Sequence, residues 1–588
     1  RCRHRHRHRH RHRHRHRLPR AAAPPLRDSF SSMLDAPAPA PRPLRFELAL
    51  VVLVSLAVLV PGIWRYSLVD PWETHYGEVA RMMLQNHDWV HTEWPQDGEG
   101  FRSKPVLSFW LMAASMRALG LAADGGYSGE MVHSAWTMLA IRLPFIGCAV
   151  LGLALLWWML ARLVSRRVAW LALLVVGSSP MFALVARQAI PDMPLTACVI
   201  GAISLLALAL EDGERAITRR AAPGRRWAWD ARHVVIGLVA VIVLTQAIYD
   251  AIYFATAPQL AVRGRIPSPA LWLPLLMVLG LGALSQDGFR IARLPMLLVG
   301  GVWSAIANDP AASRQPGQSW WRHLHDDVLA PWDRRALDRL LVRVAVWAAI
   351  PLTAAAATAA IALQVRPGAA LLPIAEVGGG TLLAWAAASA ALRGRWPLAS
   401  WRDAGAITER LLALSPITTM RQLYLIGGYA LLGVSILAKG PPGLTVVAAV
   451  GVFHMLITRR WAALYAGDYE LKRGLITMGI VAVPWHVAMY LKDGIRFIDE
   501  YLFTHILNRA GVGVDNSPGT FEYYTSQVGH GMWLWAALVP AALASGLLTA
   551  RADDRHGRVR SLIVLWATAG FAVFALVQTK FHHYILPV

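Results

Sequence analysis

The apolar run FELALVVLVSLAVLVPGIW (residues 46–64) is followed five residues later by the polar segment DPWETHYGEVARMML (residues 70–84). A run of this length is about what an α-helix needs to cross the roughly 30 Å hydrocarbon core of a bilayer. The first nine residues of the polar segment include three carboxylates, at Asp70, Glu73 and Glu78. The two segments together predict a helix that leaves a membrane and is followed at once by a cluster of acids.

The composition of the whole chain agrees with this interpretation. Its 588 residues are 56% hydrophobic and only 16% charged, whereas the charged fraction of a soluble chain is usually about a quarter. We therefore predict an all-α polytopic membrane protein with about 13 transmembrane helices and external juxtamembrane helices in the first loop. The predicted spans lie near residues 46–64, 138–161, 168–185, 194–210, 234–257, 269–285, 343–364, 369–393, 422–438, 443–458, 474–491, 531–549 and 560–577.

The net charge of +22 is concentrated at the start of the chain. Residues 1–32 are largely an Arg/His alternation and contain eleven arginines and one aspartate, which gives +10. A basic tract of this kind could bind nucleic acid or zinc. We interpret it instead as a disordered cytoplasmic tail or translated upstream sequence, because the chain begins without Met and Met33 lies shortly before the first span. No nucleic-acid partner is expected.

Arginines between the spans predict the orientation of the chain. Arg42 and Arg45 precede the first span, so its start is expected to be cytoplasmic and residues 65–135 form the first external loop. The Arg-rich segments 211–232 and 551–560 then also face the cytoplasm. The polar motifs fall on the external face, where ionisable residues at membrane boundaries indicate a site.

Four regions follow from these patterns. Residues 1–32 form the tail, and residues 33–210 form an N-terminal membrane core. Residues 211–420 are interpreted as an inserted membrane region of unknown role. Residues 421–588 continue the core and end directly after an apolar ILPV, so we expect the C-terminal part to be missing.

Several of the polar residues also have a simpler structural interpretation. Asp70 and Glu73 fit the N-cap and third positions of a capping box with a proline between them, and Asp192 could likewise be only an N-cap. Lys104 could extend its amine to the lipid headgroups. His505 alone could be a histidine on the surface of a helix. The functional interpretation depends on the occurrence of all of them on one face.

Six motifs in order carry a resemblance to a known family: DPWETHYGEVARMML, FRSKPVLSFWLMAA, ARQAIPDMP, LAKGPPGL, PWHVAMYLKDG…FIDEYLFTHILNR and TKFHHYILP. Together they resemble the membrane core of polyprenyl-phosphate-sugar-dependent glycosyltransferases of the C-type superfamily. The lipid A aminoarabinose transferases are the most similar, followed by the protein O-mannosyltransferases. The resemblance covers roughly residues 46–210 and 421–588, and residues 211–420 have no counterpart.

The resemblance implies the transfer of a sugar from a lipid-linked phosphate to an acceptor at the outer membrane face. It implies catalytic roles for Asp70, Glu73 and Asp192. The base that deprotonates the acceptor is expected to be an acid of the first external loop, as a carboxylate whose pKa can be raised by partial burial. Asp192 matches the aspartate of the family's second acidic motif. Lys104 matches the family lysine that contacts the donor phosphate, and Tyr584 matches a tyrosine near it. Further candidates for contact with the donor phosphate are Tyr76, Arg187 and Lys580.

Two departures from the family pattern leave alternatives open. The family usually has Asp-Glu-Thr-x-Tyr where this chain has Trp72 in place of the first acid. Either Asp70 or Glu73 is then the base, and we favour Asp70. The glutamate that helps to hold a metal in the aminoarabinose transferases is Ser103 here. His505 remains as a candidate metal ligand, for Zn²⁺ more readily than for Mg²⁺ or Mn²⁺.

The predicted function is therefore glycosyl transfer from a polyprenyl-phosphate sugar to a lipid A-like lipid or a protein. The predicted location is the external, periplasmic side of a bacterial inner membrane. A multi-span transporter or lipid flippase is an alternative, although it would more often place ionisable residues near the bilayer midplane. A catalytically inactive relative is the other alternative, since a fold does not fix a function. The sequence does not indicate the sugar, the acceptor or the oligomeric state.

Overall fold

The computed structural model describes residues 44–94, 99–121, 134–217, 230–256, 269–284, 417–511, 521–549 and 554–588. The chain forms two compact units, Arg1–Leu50 and Val51–Val588, and the described part of the first unit starts at Leu44. The described residues are mostly helical, as the sequence predicts. The strands among them are β1 (Glu93–Trp94) and β2 (Glu99–Gly100), which pair antiparallel.

The helices up to the large gap are α1 (Leu44–Leu59), α2 (Trp72–Gln85), α3 (Leu107–Ala118), α4 (Ala135–Leu163), α5 (Arg166–Ser178), α6 (Pro180–Ala186), α7 (Asp192–Asp212), α8 (Ala231–Thr256) and α9 (Pro269–Leu284). After it come α10 (Met420–Lys439), α11 (Pro442–Thr458), α12 (Trp461–Ala466), α13 (Leu471–Asp493), α14 (Ile495–Phe497), a π-helical segment (Ile498–Asn508), α15 (Arg509–Gly511), α16 (Phe521–Gly531), a 3₁₀ turn (Ala536–Leu538), α17 (Val539–Thr549), α18 (Arg555–Leu576) and a second 3₁₀ turn (His582–Ile585).

Six of the described helices are long and apolar enough to cross a bilayer: α4, α7, α8, α10, α13 and α18. The pair α5 and α6 adds a seventh candidate, which is bent by 70° where the backbone of Ser179 is extended and Pro180 begins the next helix. A proline supplies no backbone N–H to continue the preceding helix, so a break at this position is expected. The apolar helices make the chain an integral membrane protein.

The prediction of about 13 spans is not confirmed. Six predicted spans coincide with the six long helices, and the one near 168–185 coincides with the bent pair. The spans near 46–64, 269–285, 443–458 and 531–549 correspond to helices shorter than 18 residues. The spans near 343–364 and 369–393 lie outside the described residues, as does most of the region 211–420 that we interpret as an insertion.

Helix α7 lies at the centre of the helical core of the second unit. Its sequence is apolar on every side between Met193 and Leu210, which is typical of a helix that is covered all round. It packs most extensively against α10 and α4, and α10 in turn packs against α13. The first residue of α7 is Asp192, so the core itself positions that carboxylate at one end of the bundle.

The other end of α7 is held by ion pairs to Arg-rich segments. Glu211 accepts from Arg558 at 2.7 Å, and Asp212 accepts from Arg162 at 2.9 Å and from Arg215 at 2.6 Å. The pairs of Asp212 with Arg162 and Arg215 are partly exposed, and such pairs contribute little stability individually. Their consequence is geometric, because α7 is fixed at the end opposite to Asp192.

Candidate active site

Glu73 is a fully buried carboxylate near the start of α2. Arg142 of α4 donates two hydrogen bonds to it, at 2.8 and 2.6 Å. The backbone N–H groups of Val69 and Ala189 donate two more, at 2.9 and 2.8 Å. Both side chains of the ion pair are 0% exposed. The four donors saturate both oxygens of Glu73, so the geometry favours a structural role for it.

Arg142 connects this carboxylate to the segment that leads from α1 into α2. Its guanidinium donates to the carbonyl oxygens of Ile63 at 2.6 Å, Tyr66 at 2.9 Å and Ser67 at 2.7 Å. Each donated bond satisfies a buried polar group that would otherwise be costly. The Arg142–Glu73 pair therefore ties α4, the entry to α2 and the segment just before α7 together.

Asp70 lies on the surface and does not cap α2. The helix begins at Trp72 with Pro71 at the N-cap position, and no side chain makes a capping hydrogen bond there. The capping-box interpretation of Asp70 and Glu73 is therefore wrong. The Oδ1 atom of Asp70 accepts one hydrogen bond from the Thr74 hydroxyl at 2.8 Å. Its exposed carboxylate is consequently accessible to an incoming molecule.

Asp192 is buried and paired with two basic residues from distant parts of the chain. Its Oδ1 atom forms a short ion pair with Nζ of Lys439, and its Oδ2 atom lies 3.7 Å from Nε2 of His583. The N-cap interpretation of Asp192 is wrong as well, because α7 starts at Asp192 itself and Pro191 occupies the N-cap position without a side-chain bond. Burial of an acid is costly unless it is paired, and here the partner is a lysine.

A glycine fixes the position of Lys439. Lys439 is the last residue of α10, and Gly440 follows it with φ +83° and ψ −150°. This conformation is essentially restricted to glycine. A Cβ atom at Gly440 would also lie 3.1 Å from the Tyr501 hydroxyl. The motif LAKGPPGL thus ends the helix sharply and leaves Lys439 facing Asp192.

Tyr584 joins the same arrangement. Nζ of Lys439 lies 4.0 Å from the centre of the Tyr584 ring, in cation–π geometry. The Tyr584 hydroxyl accepts a hydrogen bond from Arg509 at 3.3 Å. The tyrosine predicted near the donor phosphate is therefore beside two positive charges.

Lys104 and His505 take part in the same set of electrostatic interactions as Asp192. The charge of Lys104 acts on Asp192, His505 and His583, and its Nζ donates to the Ser103 carbonyl at 3.1 Å. Burial, followed by the positive charges of Lys104 and Arg509, lowers the pKa of His505 to about 4. His505 is therefore neutral near pH 7, and its Nδ1 atom is buried without a hydrogen-bond partner.

Tyr76 lines the same region from α2. Its ring is buried against Phe101 and Phe109, with centroid distances of 6.0 and 5.9 Å. Burial raises the pKa of Tyr76 far above its usual value, and the nearby Asp192 and Tyr584 act in the same direction. The phenol therefore remains protonated and able to donate a hydrogen bond.

Trp72, which stands where the family has its first acid, packs against the C-terminal segment. Its ring lies 5.7 Å from Phe581 and 6.1 Å from His583, edge to face in both cases. Burial lowers the pKa of His583 to about 3, although the Asp192 carboxylate acts in the opposite direction. At the position of the family's first acid, this chain therefore has an aromatic ring, which packs against a neutral histidine.

We call seven residues the polar cluster: Lys104, Asp192, Lys439, His505, Arg509, His583 and Tyr584. The sequence predicts four of them as site residues. The others, Lys439, Arg509 and His583, lie within the quoted motifs but received no role, because their importance follows from their contacts with Asp192 and Tyr584.

Two predicted residues make other contacts. The Arg187 guanidinium donates to the Pro61 carbonyl, and the Arg187 carbonyl accepts from Tyr66 at 3.0 Å. Lys580 donates to the carbonyl oxygens of Ala575, at 2.9 Å, and Val577 at the end of α18. Both contacts satisfy backbone groups, so this geometry favours structural roles for Arg187 and Lys580.

The candidate metal ligand has few suitable companions. In the part of the chain that the structure describes, no group of three or more His, Cys, Asp or Glu side chains is placed to hold a metal ion. The charges that act on His505 are the cations of Lys104 and Arg509. Two positive charges repel a third, so this environment fits an anion better than a metal.

Comparison with known proteins identifies one matching family. Residues 103–281 match the family model described as dolichyl-phosphate-mannose-protein mannosyltransferase. No curated protein sequence matches the chain significantly. The matched range contains Lys104, Arg142 and Asp192.

Two solved structures align with most of the chain. One is ArnT from Cupriavidus metallidurans bound to undecaprenyl phosphate, with 15% identity and a TM-score of 0.47 over 93% of this chain and 58% of that one. The other is the same protein in the apo state, with 16% identity and a TM-score of 0.46 over 92% of this chain and 57% of that one. The chain thus spans less than two thirds of the length of ArnT. The family match confirms the resemblance over residues 103–281, which are similar to the dolichyl-phosphate-mannose-protein mannosyltransferases. It also extends into residues 211–281, for which the motifs indicated no counterpart.

Proposed function

We propose that this protein transfers a glycosyl group from a polyprenyl-phosphate-linked sugar to a lipid A-like lipid or a protein. The transfer takes place at the external, periplasmic face of a bacterial inner membrane. The observation that carries the proposal is the polar cluster, in which Lys439, His583 and Lys104, from three separate segments, act on the buried carboxylate of Asp192. Arg509 joins the cluster through its bond to Tyr584. The family match to dolichyl-phosphate-mannose-dependent transferases supports the same reaction class.

The cationic part of the polar cluster suits the phosphate of the donor. Lys104 and Arg509 supply two positive charges near neutral His505, whose Nδ1 atom has no hydrogen-bond partner among the described residues. The Tyr584 hydroxyl is already oriented by Arg509 at 3.3 Å. Fixed donors of this kind stabilise the charge that develops on a leaving phosphate. Tyr76 adds a protonated phenol beside them.

Asp70 is the proposed base toward the acceptor. Its carboxylate is exposed, whereas Glu73 is saturated by four donors and Asp192 is paired with Lys439. The acceptor oxygen forms a bond to the anomeric carbon while the bond from that carbon to the phosphate oxygen breaks. The acceptor proton goes to Asp70, and the polyprenyl phosphate leaves. Asp192 acts by holding Lys439 in place.

No step of the proposed mechanism passes through a metal. A divalent ion bound to His505 would lie beside Lys104 and Arg509, whose charges repel it. The same charges attract the donor phosphate. The experiment below therefore includes a chelator as a separate condition.

A transporter or flippase would use the polar cluster as a translocation site and would not form a glycosidic bond. An inactive relative would bind the lipid phosphate without transfer. The cluster lies at helix ends, with Asp192 first in α7 and Lys439 last in α10. This placement favours chemistry at one membrane face over a route through the midplane.

The test uses membranes that contain the complete protein, a radiolabelled polyprenyl-phosphate sugar, and acceptor membranes from a deletion strain, with and without EDTA. We expect label to move into lipid or protein. Lys104→Ala should weaken use of the donor, and Asp70→Asn should lower transfer by roughly 10²- to 10⁴-fold at normal expression.

Matched controls make the result specific. Glu78→Gln changes another acid of α2, whose partner is the partly exposed Arg81 of the same helix at 2.6 Å, and should leave transfer unchanged. Wild-type transfer rates in both Lys104→Ala and Asp70→Asn would refute the mechanism. Bound polyprenyl phosphate without any transferred label would instead support the inactive relative.

A further inference from the structure

A second group of charged residues lies next to the polar cluster, and the proposed mechanism does not use it. It consists of His91, Arg102, Asp493 and Glu500. Arg102 occupies the centre: its Nε donates to Asp493 at 2.7 Å, and its Nη1 donates to both oxygens of Glu500 at 3.1 Å. The side chains of Arg102 and Asp493 are only 6% and 7% exposed, respectively. Pairs this well covered constrain geometry more than surface pairs do.

The arginine of this group lies in the segment that carries Lys104, and its two acids lie in or just before the segment that carries His505 and Arg509. Arg102 lies two residues before Lys104, in the short connection between β2 and α3. Asp493 ends α13, and Glu500 lies in the π-helical segment (Ile498–Asn508) that also contains His505. Arg509 follows directly after that segment.

A π-helical segment of eleven residues is unusual, since such geometry is rare and occurs mostly as single turns near functional sites. Arg102 is bonded to it at Glu500, close to its beginning, while His505 lies near its end. The arginine therefore fixes the segment relative to the connection that bears Lys104.

The backbone around Arg102 leaves little space for an alternative arrangement. A Cβ atom at Gly100 would lie 2.9 Å from Nε2 of His91 and 3.0 Å from Nη2 of Arg102. His91 Nε2 itself lies 3.5 Å from Asp493. The glycine thus allows two basic side chains to converge on the same carboxylate.

We propose that Arg102 is a positioning residue that clamps the Lys104 connection onto the π-helical segment and so sets the spacing of Lys104, His505 and Arg509 for the donor phosphate. The inference rests on the proposed function of those three residues. Arg102 itself has its bonding groups directed at Asp493, Glu500 and the Gly100 carbonyl, so it acts through Lys104.

The experiment measures the affinity of the purified full chain for undecaprenyl phosphate, together with transfer kinetics. Arg102→Gln should weaken affinity and raise the donor KM by roughly 10- to 100-fold, the scale expected when reactive groups are displaced by about 1 Å, with a smaller change in kcat. Glu500→Gln is the milder variant, because it keeps the bond to Asp493. Arg102→Lys keeps a positive charge between Asp493 and Glu500 and should recover part of the loss.

Arg81→Gln is the matched control, since Arg81 also pairs with a glutamate, Glu78, but does so within its own helix α2. If wild type binds undecaprenyl phosphate, an affinity that is equal in wild type, Arg102→Gln and Glu500→Gln would overturn the inference. So would an affinity lost equally in Arg81→Gln.

Hydrogen exchange separates this inference from the proposed function. Arg102→Gln should accelerate amide exchange in residues 99–106 and 495–509, whereas Arg81→Gln should not. Suppose that wild type does not bind undecaprenyl phosphate, but that Arg102→Gln accelerates exchange in both segments and Arg81→Gln does not. The clamp then stands and the proposed function fails. Unchanged exchange in both segments would refute the clamp regardless of binding.

Discussion

Glu73 and Asp192 are both buried carboxylates, and each is neutralised by a basic residue from another helix. Arg142 is 69 residues from Glu73 in the chain, and Lys439 is 247 residues from Asp192. The surroundings nevertheless give them different roles. All hydrogen-bond acceptor positions of Glu73 are occupied, whereas Asp192 is itself part of the polar cluster.

Glu73→Gln should mainly reduce stability. The substitution leaves the buried Arg142 without a counter-charge, which typically costs about 3–5 kcal/mol. Glu78→Gln removes an acid of the same helix whose side chain is 26% exposed and should cost at most about 1 kcal/mol. The measurement is the thermal unfolding midpoint of both purified variants in one detergent. Equal midpoints would contradict the structural role of the Glu73–Arg142 pair.

The stability of the folded protein should fall as the pH decreases below about 6.5, in part because of His583. Burial lowers the pKa of this side chain to about 3 in the folded state, against about 6.5 for an unfolded histidine. Between these values the unfolded state binds the additional proton, so stability is present above pH 6.5 and is lost as the pH falls toward 3. His583→Gln should reduce this pH dependence of the unfolding midpoint. His582→Gln, which changes the exposed neighbouring residue, should not. Parallel curves for wild type and His583→Gln would contradict the assignment.

The residue types of the site could be predicted from the sequence, but their pairing could not. Lys104, Asp192 and Tyr584 stand out because each occurs in a motif at a predicted membrane boundary. Lys439 and His583 occur in equally visible motifs. Their roles depend on which helix ends meet, and this is determined by packing between segments more than a hundred residues apart.

At the scale of the elements, apolar length predicted unbroken helices well, including the short α9 and α11, and predicted broken ones poorly. Helices α4, α7 and α10 coincide with predicted spans within a few residues. The predicted span near 168–185 is divided into α5 and α6 by the bend at Ser179. Hydropathy records only the apolar run, whereas the bend follows from the backbone that precedes Pro180.

The turn after α10 allows a direct test of how an element positions a site residue. Gly440→Ala places a side chain in a conformation that costs about 1–3 kcal/mol and brings it against the Tyr501 hydroxyl. We expect a lower unfolding midpoint and weaker binding of undecaprenyl phosphate, because Lys439 precedes this turn. Gly451→Ala is the control, since Gly451 lies within α11 and an added Cβ would meet no atom within 4 Å. Two variants that behave alike would show that the turn does not hold Lys439.

At the scale of the whole molecule, the two ends of the helices carry different charged groups. The polar cluster lies at the end of α7 that begins with Asp192, and Arg162, Arg215 and Arg558 pair with the other end. Arginine-rich ends of membrane helices usually remain in the cytoplasm. This rule predicts that the polar cluster is external, on the face that the proposed function requires.

Single cysteines test this orientation in intact cells. Gln85 is an exposed residue at the end of α2, and His556 is exposed near the start of α18. In a background with Cys2 replaced by Ser, Gln85→Cys should react with a membrane-impermeant maleimide, and His556→Cys should react only after permeabilisation. The parent without an introduced cysteine gives the background from Cys148 and Cys198. Labelling of His556→Cys in intact cells, with Gln85→Cys protected, would place the polar cluster in the cytoplasm. The donor would then have to present its phosphate from the opposite leaflet, and the proposed periplasmic transfer would be wrong.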